Sequence, residues 1–351
     1  MKRLSIILYA GIILVLLSCE RDQLNINTQE LKATLNQNAA ILNEAVGAIS
    51  STAGFKVLTV SDDGSKSSDA DSSYSVYIGL DQIKGVYDYK PVPTTSWQGL
   101  SLIRYFTKSA DAGNMVVKLP LKKIEHPGSL RLYTAADTAL TNNFIITVSD
   151  YFNNYNNYHD YDYKLTSAIS IDGVTAGSLN IRSLVSPVNG TDYNSEYLFT
   201  DGYSAKYKYL SGDTTVSSFG ILKNNQVLYE EKRLTIKNDT ARFGREHLYV
   251  LTIGNIQIIR KSGVIAPAIY LDGVLQTSAT VTVVDRESDP EATICKKRDI
   301  QITFDDGTTT KLSTLIGESV DNIAVMFDSL HSVYFAAYIV DWIAYDIYYG
   351  R

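Results

Sequence analysis

The sequence predicts a mainly β protein: two β-sandwich-like modules, with a helix at the N-terminal end and another at the C-terminal end. Three observations carry this. From Phe55 onward, apolar residues recur at alternate positions in short runs separated by Gly, Pro, Asn and Asp, the period of half-buried strands. Tyrosine, at 25 residues, outnumbers phenylalanine, tryptophan and histidine together, and its ring packs on a strand face while its hydroxyl stays wet. At both ends of the chain the apolar spacing changes to that of a helix.

The first element is a leader. Met1, Lys2 and Arg3 are followed by a nearly unbroken apolar run from Leu4 to Leu17, then Ser18 and Cys19. A basic start, a short apolar stretch and a small residue have the polarity of a secretory signal, and the run is short for a membrane span. Leu16-Leu17-Ser18-Cys19 resembles the bacterial lipobox, in which a diacylglyceryl group joins the cysteine thiol. The resemblance implies a signal peptide over 1–18, lipidation of Cys19, palmitate-type acylation and a mature chain held to the cell envelope, at the outer membrane. An ordinary signal peptide with an incidental cysteine is the alternative. More than one acyl chain would make the anchoring stable.

Lipidation would use one of the two cysteines and leave Cys295 without an intramolecular partner. An exported chain lacking a disulfide depends on its apolar core. Losing Lys2 and Arg3 makes the net charge still more negative than −6, which argues against nucleic acid as a partner.

Residues 19–54 read as tether and helix. Leu31, Leu35, Leu42, Val46 and Ile49 form one apolar stripe, Thr28 is a candidate cap and Gly54 lies past the end. Asn38 and Ala45 complete a heptad frame, so the stripe serves either its own domain or an oligomeric stalk.

The first β module spans 55–150. Its strands are "FKVLTV", "YSVYIGL", "GVYDYKPV", "SLIRYFT", "NMVVKLPL", "SLRLYT" and "NFIITVSD". The loop holding Asp62, Asp63, Asp69 and Asp71 lacks the pattern of a calcium-binding loop: counted from Asp69, Tyr74 stands at the glycine position and Leu80 at the acidic one. The second module, 151–317, shows one theme twice, in "SAISIDGVTAGSLNI" and "PAIYLDGVLQTSATVTV". Asp-Gly between alternating runs signals a hairpin in each. Residues 318–351 form the C-terminal helix, in which Asp341 requires a hydrogen-bond partner if it is buried.

Chemistry is sparse. No Gly-x-Ser-x-Gly, His-Glu-x-x-His, Cys-x-x-Cys or phosphate-cradling loop occurs, and His126, His159, His247 and His331 are far apart. No catalytic residue, metal ligand or cofactor is assigned. The candidate contact surface is "DYFNNYNNYHDYDYKL", with Tyr151, Tyr155, Asn156, Tyr158 and Asp160 as tentative ligand-binding residues. Aromatic rings stack on sugar faces and amides take hydroxyls, and tyrosine also favours protein contacts. The structural alternative is a polar hairpin leading into a tyrosine-lined strand.

The layout as a whole resembles the β-rich envelope lipoproteins of Bacteroidota-type bacteria. Asp137-Thr138-Ala139, Asp239-Thr240-Ala241 and Asp328-Ser329-Leu330 resemble the triplets O-glycosylated there. The expected function is a non-catalytic binding or structural module with a glycan or an envelope protein as partner. A carboxylate-dependent hydrolase such as a glycosidase, or a subunit that oligomerises through the N-terminal helix, are the alternatives.

Overall fold

The computed structural model describes residues 26–59, 75–90, 102–125, 139–241, 244–264, 266–285, 298–317, 319–331 and 335–350. The leader with Cys19, the acidic loop, "SLRLYT", His126 and Cys295 lie outside these. Among the described residues the fold is mainly β, with a long N-terminal helix and C-terminal helices.

Strands β1 (Val76–Gly79), β2 (Gly85–Tyr89), β3 (Phe106–Ala110) and β4 (Met115–Leu119) lead into an antiparallel meander. It runs through β5 (Phe144–Asn157), β6 (Asp160–Ile171), β7 (Val174–Ser186), β8 (Gly190–Leu198), β9 (Tyr203–Leu210) and β10 (Thr214–Lys223). It continues through β11 (Gln226–Lys237), β12 (Arg245–Ile253), β13 (Ile256–Lys261), β14 (Ala268–Leu271) and β15 (Val274–Leu275). Each strand pairs with the next, and together with β1–β4 they make one 15-stranded sheet. A second sheet holds β16 (Ala279–Asp285), β17 (Arg298–Phe304) and β18 (Thr309–Lys311). The expected boundary between residues 150 and 151 falls inside β5, and the large sheet takes strands from both expected modules. The sandwich-like part is where β16 and β17 face β11–β13 across a cleft.

The Asp-Gly turns form as expected. Asp172-Gly173 and Asp272-Gly273 both have positive φ at each residue, which suits the right-handed twist of two-residue hairpins. The repeated theme has a local cause. Asn143 Nδ2 donates to Asp172 Oδ1 at 3.0 Å, and Asn255 Nδ2 donates to Asp272 Oδ2 at 2.9 Å. Each aspartate is thus braced by an asparagine from a neighbouring connection.

Register gives the large sheet two different faces. On one, the row Tyr151, Leu165, Ile181, Ser195, Tyr207, Phe219, Glu231, Leu251, Ile258, Ile269 crosses β5 to β14. All but Glu231 are buried. On the other face the row Asp150, Thr166, Asn180, Glu196, Lys206 is polar, and cross-strand pairs such as Arg182–Asp162 and Lys206–Glu196 lie there. A strand alternates its faces every residue, so one side collects the core and the other stays wet.

Helices cover the apolar face. Helix α1 (Thr28–Ser50) is capped by Asn27, not Thr28, through Asn27 Oδ1 and Glu30 N at 2.9 Å. Its stripe is buried in its own domain against β11, β12 and the helices that follow. Asn38, the polar position of the heptad frame, donates to Ile253 O and Asn255 Oδ1 at 3.0 and 2.9 Å. Gly254 permits this approach: a Cβ there would meet the Asn38 amide at 2.7 Å.

The described part of "FKVLTV", residues 55–59, is not a strand. Helix α2 (Ala53–Leu58) occupies it, with the Thr52 hydroxyl accepting from Phe55 N at 3.0 Å. A short apolar run is ambiguous in period, and the cap and the burial of Val57 and Leu58 decide for helix. Similarly, "SLIRYFT" begins as a 3-10 turn over Leu102–Tyr105 before β3. Short helices α3 (Leu80–Ile83), α4 (Leu121–Glu125) and α5 (Leu312–Ile316) join the strands. The C-terminal segment holds two helices, α6 (Ser319–His331) and α7 (Phe335–Tyr348), in place of one. No helix among the described residues is long and apolar enough to cross a membrane.

Candidate functional site: the tyrosine face and the cleft

The tyrosine–asparagine segment is the β5–β6 hairpin, turning at Tyr158 and His159. Its tyrosines mainly receive the C-terminal helices. Tyr151 and Tyr163 donate to Asp341 Oδ1 on α7 at 2.9 and 3.1 Å, and Asn153 Nδ2 donates to Tyr345 Oη at 3.2 Å. One strand pair further on, the Tyr193 hydroxyl donates to Leu330 O of α6 at 3.1 Å, and Phe327 packs edge-on to both Tyr207 and Phe219. Burial raises the hydroxyls of Tyr151 and Tyr163 well above the ordinary tyrosine value, with the Asp341 charge next in effect.

This corrects the expectation for Tyr151, which is 2% exposed and committed to the core. Tyr155 is half-buried against Tyr161. At the tip, Asn156 Nδ2 donates to Asp160 Oδ2 at 3.2 Å, and Tyr158 is 72% exposed beside the His159 ring. Of the candidate set, Asn156 and Tyr158 are exposed at this tip, with Asp160 half-buried beside them. Tyr158→Ala is expected to leave Tm unchanged within about a degree, and Tyr155→Ala to lower stability by about 1–2 kcal/mol. Thermal unfolding of both variants checks this.

Asp341 also has its requirement met: it sits on the helix–sheet seam with two hydroxyl donors. Some of its residue surface stays open, yet protein encloses the carboxyl, and burial raises it to about 7. Asp346, one turn later, is buried and accepts from Ile103 N at 3.0 Å, tying α7 to the 3-10 turn.

A concave feature lies elsewhere, where the buried row breaks at Glu231. A cleft of about 880 Å³ opens between β11–β13 on one side and β16, β17, α5 and α6 on the other. Leu251, Ile258, Val283, Ile300, Leu312, Ile316 and Val320 supply apolar walls. Above Leu251 and Ile258 the next cross-strand row is Arg233, Tyr249, Arg260, and beyond it Thr235 pairs with His247. Thr235 Oγ1 and His247 Nδ1 are 3.1 Å apart, and His247 N donates to Ser262 Oγ at 2.9 Å.

Both carboxylates of the cleft are engaged. Glu231 accepts from the Tyr229 hydroxyl, and burial, then the Glu231 charge, holds the hydroxyls of Tyr229 and Tyr249 above their ordinary range. Asp299 is buried, accepts from Ile300 N at 2.8 Å and Ser313 N at 3.2 Å, and is bonded by the Ser313 hydroxyl. It serves as a tertiary cap for α5. Neither Arg233 nor Arg260 has an ion pair with a described residue.

The arrangement can hold a ligand by charge, aromatic contact and apolar enclosure. Sequence reasoning did not assemble it, because its residues come from three strands and become neighbours through register alone. A trace was visible in "LYEEKRLTIK", where charge occupies both faces of a strand. Among the described residues no group of three His, Cys, Asp or Glu could hold a metal ion. Comparison with known proteins finds no matching family model, no similar curated protein and no similar solved structure.

Proposed function

We propose that this chain is a lipid-anchored cell-envelope protein that acts by binding, and that its ligand seat is the cleft between the two sheets. The observation that carries the reading is the row Arg233, Tyr249, Arg260 set above apolar walls in a concavity of ligand size. The anchor rests on the lipobox-like Leu16-Leu17-Ser18-Cys19. A glycan or an envelope protein at the Asn156–Tyr158–Asp160 tip belongs to the same reading as a second contact.

A hydrolase would need two carboxylates free to converge on a bond. Glu231 and Asp299 share the cleft, but one is held by a tyrosine and the other caps a helix, an arrangement that favours binding. For Asp341, two tyrosine hydroxyls beneath α7 favour a structural role. The apolar stripe of α1 is used within its own domain, which favours a monomeric body over a stalk.

Two measurements test the proposal. Metabolic labelling with a palmitate analogue should mark the full chain and place it in the outer-membrane fraction, and Cys19→Ala should lose both. Purified protein screened against glycans, organic acids and envelope proteins should show a rise in Tm that grows with the logarithm of ligand concentration, about 2.7 kcal/mol of added stability at a hundredfold excess over Kd. Chemical turnover of a ligand in that screen would overturn the non-catalytic reading.

A further inference from the structure

We propose that the cleft takes an organic anion with an apolar body, a medium-chain carboxylate or its phosphate equivalent, whose charged end is held between Arg233 and Arg260. This deepens the reading of the cleft as a ligand seat and rests on it.

The first argument is unmatched charge. On the open face of the same sheet some cations are answered across the strands, Lys164 by Asp150, Arg182 by Asp162 and Lys206 by Glu196, while Lys208 and Lys232 have no ion pair among the described residues. Among the described residues Arg233 and Arg260 have neither an ion pair nor a hydrogen bond from their guanidinium groups, although both line the cavity. The two carboxylates of the same lining, Glu231 and Asp299, are hydrogen-bonded to Tyr229 and at the α5 cap and to neither arginine. The chain carries a net charge of −6, so a pair of free guanidinium groups in one concavity runs against its general balance.

The second argument is geometry. Arg233 and Arg260 stand on either side of Tyr249 in one cross-strand row, on strands β11 and β13. Neighbouring strands are about 4.8 Å apart, so the two backbone positions lie about 10 Å from each other. That spacing lets two long side chains meet over one carboxylate or phosphate, the anions that guanidinium forks match best. Tyr249 lies between them as a half-buried ring and hydroxyl.

The third argument is what lies next to the charge. One strand step along the same face Leu251 and Ile258 close the floor, and the accessible apolar wall opposite is Val283, Ile300 and Val320. An inorganic anion would use the arginines and leave these walls wet. A neutral hydrophobe would cover the walls and leave the guanidinium groups unmatched. A molecule with both ends satisfies both, and about 880 Å³ accommodates one of drug-like size.

The test is calorimetric titration of the full chain in phosphatidylcholine nanodiscs with octanoate, octanamide and inorganic phosphate, with empty discs subtracted. Octanoate should bind saturably, and octanamide and phosphate each about tenfold more weakly or worse. The double variant Arg233→Gln/Arg260→Gln should lose about tenfold or more for octanoate, while Arg182→Gln on the open face changes nothing. All of these side chains are at the surface, so the variants should keep the parental Tm, which is measured alongside. Equal binding of octanoate and octanamide, or octanoate binding unchanged in the double variant, would overturn the inference. So would phosphate binding as tightly as octanoate. If octanoate fails while another class of ligand still raises Tm through the same arginines, this inference falls and the binding function stands. If no ligand raises Tm, both fall.

Discussion

Asp341→Asn is expected to remove most of the fall in stability that the parent chain shows between about pH 4 and pH 7. Burial raises the Asp341 carboxyl from 3.8 to about 7 in the folded state, against the favourable hydroxyls of Tyr151 and Tyr163. Below about pH 4 the group is protonated whether the chain is folded or not. Between about 4 and 7 the folded chain holds a proton that the unfolded chain has released, so stability declines as pH rises and levels off above 7. The decline is at most about 4 kcal/mol, and less to the extent that the residue's open surface lets water screen it.

The groups around the carboxyl explain why no cation offsets the cost. Tyr151 and Tyr163 face it from β5 and β6, Tyr345 from its own helix, and each is a neutral hydroxyl at these pH values. Asp306 has the opposite sign: it is lowered to about 2, chiefly by its hydrogen bond to Lys32, so its contribution is lost only as pH falls below 4. Denaturant melts of both proteins from pH 4 to pH 8 make the comparison. Asp341→Asn should be the more stable form at pH 8, with a flatter profile. Parallel profiles would show that Asp341 is not the titrating group.

The second large effect is expected at Leu42. Leu42→Ala should destabilise the protein by about 2–5 kcal/mol, several degrees of Tm, and Ile41→Ala next to it by a small fraction of that. Leu42 is fully buried, on the same stripe as Leu31, Leu35, Ala39, Ala45, Val46 and Ile49, whereas Ile41 is 43% exposed on the outer side. The helix is also held by polar links that a free stalk would lack. Asn43 donates to Leu315 O at 3.1 Å and accepts from the Ser319 hydroxyl at 2.7 Å, clamping α5 and α6. A cavity at Leu42 therefore loosens three elements together. Unfolding at two protein concentrations separates the readings: a midpoint independent of concentration is expected, and a midpoint that rises with concentration would restore the oligomeric stalk.

Local pattern made parts of this protein legible. The stripe from Leu31 to Ile49 named the buried face of α1, because helical period alone puts those residues on one side. Asp172-Gly173 and Asp272-Gly273 named their hairpins, because so few residue pairs adopt two successive positive φ values. Asp341 announced its own need for a partner, because a buried carboxyl without a donor is costly. "FKVLTV" was misread where the pattern is shortest, six residues being too few to separate a strand from a helical turn.

Composition and period by themselves determined the class: alternation makes strands, strands with one apolar face make a half-covered sheet, and terminal stripes supply the helices that cover it. What only the tertiary structure decided is which strands are neighbours. Pairing across β11, β12 and β13 sets Arg233, Tyr249 and Arg260 in one row, and the same pairing across β5 and β6 turns Tyr151 and Tyr163 toward Asp341. Those contacts join residues far apart along the chain. Their alignment depends on summed turn lengths and on the bulges in β5 and β11, where one residue's slip exchanges the faces.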